Sequence, residues 1–181
     1  MHTRKLGHKV APRSMDSIWD FAQRVRDALS LSGYNFNIAA LYEVLQEEGV
    51  LEFEVVPDNS FSEDALTYPD QNRIVLKESV YNGAADGIGH YRFTLAHELG
   101  HLFLHRNQKP TAYARGERPS HKIYEDSEWQ ADEFAAELLM DSRKVDVNLS
   151  THEAAIKYGM SPMAAGYKLK KIKKTARMRP S

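Results

Sequence analysis

The sequence predicts an α+β domain with a small sheet, and three observations carry that expectation. Two early segments repeat apolar residues at helical spacing. Short segments of β character follow them, and strongly helical segments close the chain. With 181 residues, 42% hydrophobic and 27% charged, the chain is long enough to bury a sizeable core without staples.

The elements follow in order. Residues 15–31 place Ile18, Phe21, Ala22, Val25, Ala28 and Leu29 on one helical face, and Gly33 ends the run. A second helix is predicted from Ile38 to Glu48, stopping at Gly49. Leu51 to Val56 alternates apolar and acidic residues as a half-buried strand does. Ala65–Tyr68 and Arg73–Leu76, joined by Pro69-Asp70-Gln71-Asn72, read as a hairpin, and residues 82–89 (NGAADGIG) as a flexible loop. The strongest helix is predicted over Tyr91–Arg106. A polar, basic segment then leads to a helix over Asp126–Met140 and two shorter ones, Thr151–Tyr158 and Pro162–Thr175.

Composition narrows the chemistry. The chain has no cysteine, so disulfides and thiolate metal sites are excluded, and any metal must be held by His, Asp or Glu. No stretch approaches the roughly 18 apolar residues of a membrane helix, and the basic first residues lead into no signal-type apolar run. A cytoplasmic location is the expectation. Eleven of the 24 basic residues lie in residues 1–13 and 168–181, which contain no acids, so the middle sets 13 basic residues against all 25 acidic ones. A solvated last helix and a disordered start account for this asymmetry without nucleic-acid binding, which is not expected.

His97-Glu98-Leu99-Gly100-His101 is an H-E-x-x-H sequence within the strongest helical pattern. Residues four apart stack on one helix face, so both imidazoles can meet one ion. Glu98, about 100° around the helix, can reach a water there without binding the metal. Catalytic zinc takes a third protein ligand, and Glu128 is the candidate for it. Asp132, four residues on, can accept from the distal nitrogen of a ligand histidine. Two imidazoles and a carboxylate favour Zn²⁺, with Mn²⁺ the other ion such a set accepts. His105 continues the series but lies roughly 12 Å along the axis from His97, too far to share an ion; it is read as a C-terminal residue favoured by the helix dipole.

Arg92–His105 (RFTLAHELGHLFLH) with Glu128–Met140 (EWQADEFAAELLM) resembles the ImmA/IrrE family of metallopeptidases, and Glu153–Ile172 is similar to that family's closing segment. The resemblance implies a zincin-like fold in which His97, His101 and Glu128 bind zinc and Glu98 is the catalytic base. It also implies a protein substrate, such as an XRE-type helix-turn-helix repressor. The sequence departs from the family pattern at Asp141, where proline is usual, and at Asp132, where many members carry asparagine.

The expected organisation is a disordered start (1–14), a zincin-like domain (15–145), a helical extension packed on it (146–176) and a tail (177–181). Arg73, Ile74, Val75 and Leu76 are expected to form an edge strand that pairs with substrate. His121 and Tyr124 are candidate oxyanion donors, and residues 106–122 a candidate lid. The alternative function is a metal-containing regulatory protein that sequesters a repressor or toxin without cutting it.

Overall fold

The computed structural model describes residues 6–108 and 121–178. Two helices open the chain, α1 (Met15–Ala28) and α2 (Ile38–Glu47). Three strands follow, β1 (Glu52–Val56), β2 (Ala65–Tyr68) and β3 (Arg73–Lys77), and then α3 (Glu78–Ala85), α4 (Gly89–Leu104), α5 (Ser127–Leu139), α6 (Thr151–Tyr158) and α7 (Pro162–Met178). This is the α+β arrangement the sequence predicts. Side chains mark the boundaries: the Ser14 hydroxyl accepts from the Ser17 N–H to cap α1, and Asn37 caps α2. Ser150 and Glu153 cap α6 reciprocally, and Gly159 ends it at φ 59°.

The sheet has the order β1-β3-β2. β3 runs antiparallel to β2 and parallel to β1, with Ile74 opposite both Thr67 and Phe53. The β2–β3 connection is the expected turn, with Asn72 in the left-handed region. Arg73–Leu76 is therefore not an edge strand. Neighbours on both sides saturate its backbone, and Ile74, Val75 and Leu76 are buried. Among the described residues, the unpaired sheet edge nearer α4 belongs to β2, which packs on that helix.

Two further expectations change. The segment read as a flexible loop begins inside α3, which runs through Ala85. Its Gly83 is there for space: a Cβ would lie 2.2 Å from Cδ2 of Tyr91 on α4. Residues 6–14 are not disordered, since they lie against the start of α5. Gly7 N–H donates to Asp126 Oδ2 at 2.8 Å and His8 N–H to Ser127 Oγ at 2.9 Å. Ser127 N–H returns a bond to the His8 carbonyl, and Val10 and Arg13 donate to the carbonyls of Glu125 and Tyr124. Residues 109–120, most of the candidate lid, and residues 1–5 and 179–181 lie outside the described residues.

The core gathers α1, α2, the sheet and α3 to α7 around Leu95, Ala96, Leu99, Phe134, Ala135 and Leu138. α4 and α5 approach closely at Gly100, where a Cβ would stand 3.0 Å from the Ala131 Cα and carbonyl oxygen. That proximity explains a glycine inside a helix, where it costs about 1 kcal/mol relative to alanine. Buried Arg92 donates to the carbonyls of Phe36 and Gly159, joining α4 to the turns before α2 and after α6. At the far end of α5, Arg26 donates to the Leu138 carbonyl. Asp141 is buried between Arg26 and Arg143. α7 is fastened to α5 by two ion pairs, Lys168–Glu137 and Lys171–Glu133. Among the described residues no helix is long and apolar enough to cross a membrane.

Candidate metal centre

The H-E-x-x-H residues sit in the second half of α4, and the start of α5 crosses beside them. Helical geometry puts His97 and His101 on one face, with Nε2 atoms 2.9 Å apart. Glu128, in the first turn of α5, completes a triangle: its Oε2 is 3.3 Å from His97 Nε2 and its Oε1 3.2 Å from His101 Nε2. These three residues form the one cluster of metal-type ligands among the described residues.

The spacing fits a small cation. Ligand atoms about 2.0–2.1 Å from a tetrahedral ion are roughly 3.3 Å apart, which matches the two edges to Glu128, while the edge between the histidines is shorter at 2.9 Å. The donor set fits as well. Two imidazole nitrogens and a carboxylate converge on one point, and once the imidazoles give up their Nε2 protons their lone pairs can hold a metal ion there.

The surrounding groups prepare this set. His97 Nδ1 lies 2.9 Å from Asp132 Oδ1, the contact expected to fix its tautomer. Burial opposes a charge on His97, but the bonds to Asp132 and Glu128 outweigh it and push the imidazole up to about 10. In turn, hydrogen bonds from His101 and His97 hold the Glu128 carboxyl well below the usual carboxylate range. Asp126 is the N-cap of α5, accepting from Trp129 N–H at 2.9 Å, so Glu128 begins a fixed helical turn. The residues crossing behind it leave little room, since a Cβ on Gly7 would lie 2.6 Å from Glu128 Cγ.

Glu98 is 8% exposed, and Thr67 on β2 donates to its Oε2 at 2.5 Å. Sequence reasoning missed Thr67, because a lone threonine in a short strand carries no signal of a partner 31 residues away. It also misjudged His105. The residue stands at the C-cap of α4, but its ring is buried, with Nδ1 3.1 Å from His101 Nδ1 and Nε2 3.3 Å from Gln130 Oε1. Burial, reinforced by nearby His101, pushes its imidazole down to about 3, so it is no cation for the helix dipole. Its spacing of four from His101 was the available signal.

The oxyanion candidates divide. The His121 side chain is buried and its Nε2 lies 2.7 Å from Asp126 Oδ2, so it supports the start of α5 and does not face an open cleft. Tyr124 is exposed on a 3₁₀ turn, Ile123–Glu125, with Lys122 Nζ 5.6 Å from its ring centroid. The substrate role expected for Arg73–Leu76 is lost with its central position in the sheet.

Residues 55–170 match the family described as the IrrE N-terminal-like domain, Peptidase_M78. The matched span contains β2, β3, α3 to α6 and the first half of α7. No curated protein gives a significant match to the chain.

Proposed function

The chain belongs to the IrrE N-terminal-like, Peptidase_M78 family and is a metallopeptidase-type hydrolase; from that premise we propose that it is a zinc endopeptidase cutting a specific protein substrate. The observation that carries this reading is the convergence of His97, His101 and Glu128 from two helices, with Glu98 beside them.

His97 and His101 would hold the ion through Nε2, and Glu128 through its carboxylate. A divalent cation there supplies Lewis acidity, which makes a water nucleophilic near neutral pH and polarises a peptide carbonyl. Zn²⁺ suits two imidazoles and a carboxylate better than Mn²⁺ does. Glu98 accepts the proton of the attacking water and delivers it to the leaving amine nitrogen, while Thr67 fixes its Oε2. Asp132 holds the His97 ring in the orientation the ion needs. An extended substrate adds to the free edge of β2, the strand that brings Thr67 to Glu98.

The family resemblance extends the reading to a helix-turn-helix repressor as substrate. The test is incubation of the zinc-loaded protein with the repressor encoded nearest to it, with fragments identified by mass spectrometry. Cleavage is expected. Glu98→Gln is expected to bind zinc normally and lower the cutting rate by about 10²- to 10⁴-fold. Unchanged cutting by that variant would overturn the mechanism, and a stable uncut complex with the wild type would favour sequestration.

A further inference from the structure

Gln130 is fully buried on α5, and its Nε2 donates to two main-chain carbonyls, Ala11 at 2.8 Å and Tyr124 at 2.9 Å. A carbonyl only accepts, so the side-chain amide has one permitted orientation, with Oε1 turned towards His105 Nε2 at 3.3 Å. An amide oxygen also only accepts, so His105 Nε2 must carry a proton. A neutral imidazole has a single N–H, which leaves a lone pair on His105 Nδ1. That atom is 3.1 Å from His101 Nδ1, so His101 is the donor in this contact. With that proton on Nδ1, a neutral His101 has its Nε2 lone pair towards His97 and Glu128, the form a cation between them requires.

We propose that His105 and Gln130 are positioning residues that lock His101 in its Nδ1–H tautomer, with the orientation set by the backbone carbonyls of Ala11 and Tyr124. An unconstrained neutral histidine favours the opposite tautomer, whose Nε2 proton would point at the metal position. His97 solves the same problem with a carboxylate, Asp132; His101 solves it with a buried neutral chain. The N-terminal segment and the turn before α5 thereby act on the ligand atom through two side chains, without touching the metal. The proposal rests on reading His101 as a zinc ligand.

The first test uses the metal-free full-length chain with ¹⁵N-labelled histidine, in which long-range ¹H–¹⁵N correlations report each tautomer. Signals are assigned by their loss in His101→Ala and His105→Asn. His101 is expected to carry a proton on Nδ1 and His105 on Nε2; finding His101 Nδ1 without a proton overturns the proposal, and this measurement needs no variant to keep its fold. The second test measures zinc affinity by competition with a chromophoric chelator. His105→Leu is expected to weaken zinc binding by about 10- to 100-fold. His105→Asn, whose side-chain oxygen can accept from His101 Nδ1, is expected to restore most of that loss. A space-filling role predicts the opposite order, with Leu tolerated better than Asn. Equal affinity in the wild type and both variants also overturns the relay. His101→Ala separates the premises: undiminished zinc binding there refutes the ligand assignment, whereas its loss alongside a normal His105→Leu refutes only the relay.

Discussion

Helix α5 carries two carboxylate pairs with the same spacing, Glu128 with Asp132 and Glu133 with Glu137, about 140° apart around its axis. The second pair faces α1 and α7 and is closed. Glu137 meets Lys168, Gln23 and Ser142, and Glu133 meets Lys171 and the indole N–H of Trp19. The first pair faces α4, whose contribution is the imidazoles of His97 and His101. One side of the helix is neutralised by the chain's own ammonium groups, and the other joins two imidazoles in a set able to hold a metal ion. A carboxylate pair on a helix thus has no fixed meaning: the groups facing it decide whether it becomes a structural ion pair or a metal site.

The contrast breaks most visibly at Glu137. Its replacement by Ala leaves the buried Lys168 ammonium without its carboxylate and is expected to cost about 3–5 kcal/mol, read by urea unfolding in the presence of chelator. Zinc affinity of the folded fraction should not change. The double variant Glu137→Leu with Lys168→Met removes both charges and is expected to recover most of that stability.

Glu128→Ala should invert the pattern. Loss of one of three ligands is expected to weaken zinc by more than about 100-fold in chelator competition, taking a ligand's share of a metal-site free energy near 10 kcal/mol. Its unfolding midpoint in chelator should move less than that of Glu137→Ala. For the wild type, zinc at about 100 times its dissociation constant should add roughly 2.7 kcal/mol of stability, an increment Glu128→Ala should lack.

Asp132→Ala removes only the acceptor for His97 Nδ1 and is expected to weaken zinc by about 10- to 100-fold, seen in the same competition assay. The smallest effect concerns pH. Burial pushes the Lys168 ammonium down to about 8 despite the attraction of Glu137. The unfolded lysine keeps its proton to its ordinary 10.5, so between about pH 8 and 10.5 the unfolded state binds more protons. This residue's contribution to stability therefore rises with pH across that window. The Lys168→Met, Glu137→Leu pair should lack that slope in urea titrations at about pH 8 and pH 10.

Much of the site was legible because its geometry is local. His97 and His101 are placed by one helix's 3.6-residue period, and Glu128 with Asp132 by another's. The parts that were not legible depend on distant groups. Asn82 and Gly83 carry a loop signal in sequence, yet both lie inside α3. The glycine is a packing requirement imposed by Tyr91, and it reads as a loop only when that ring is unseen. β3 reads as an edge because strand order does not follow chain order: β1 returns to pair on its far side. Residues 6–14 read as disordered because their bonds go to the backbone and to groups as distant as Asp126 and Ser127, 119 residues from Gly7 and His8.

The sequence by itself determined the fold class, the metal-binding motif and the residues able to act as ligands and base, since short-range periodicity and donor chemistry specify these. Only the tertiary structure decided which carboxylates on α5 meet histidines and which meet lysines, and that His105 turns inward to Gln130. The reason is physical: a side chain's charge and tautomer are set by the partners around it, and those partners come from chain segments whose approach no local pattern encodes.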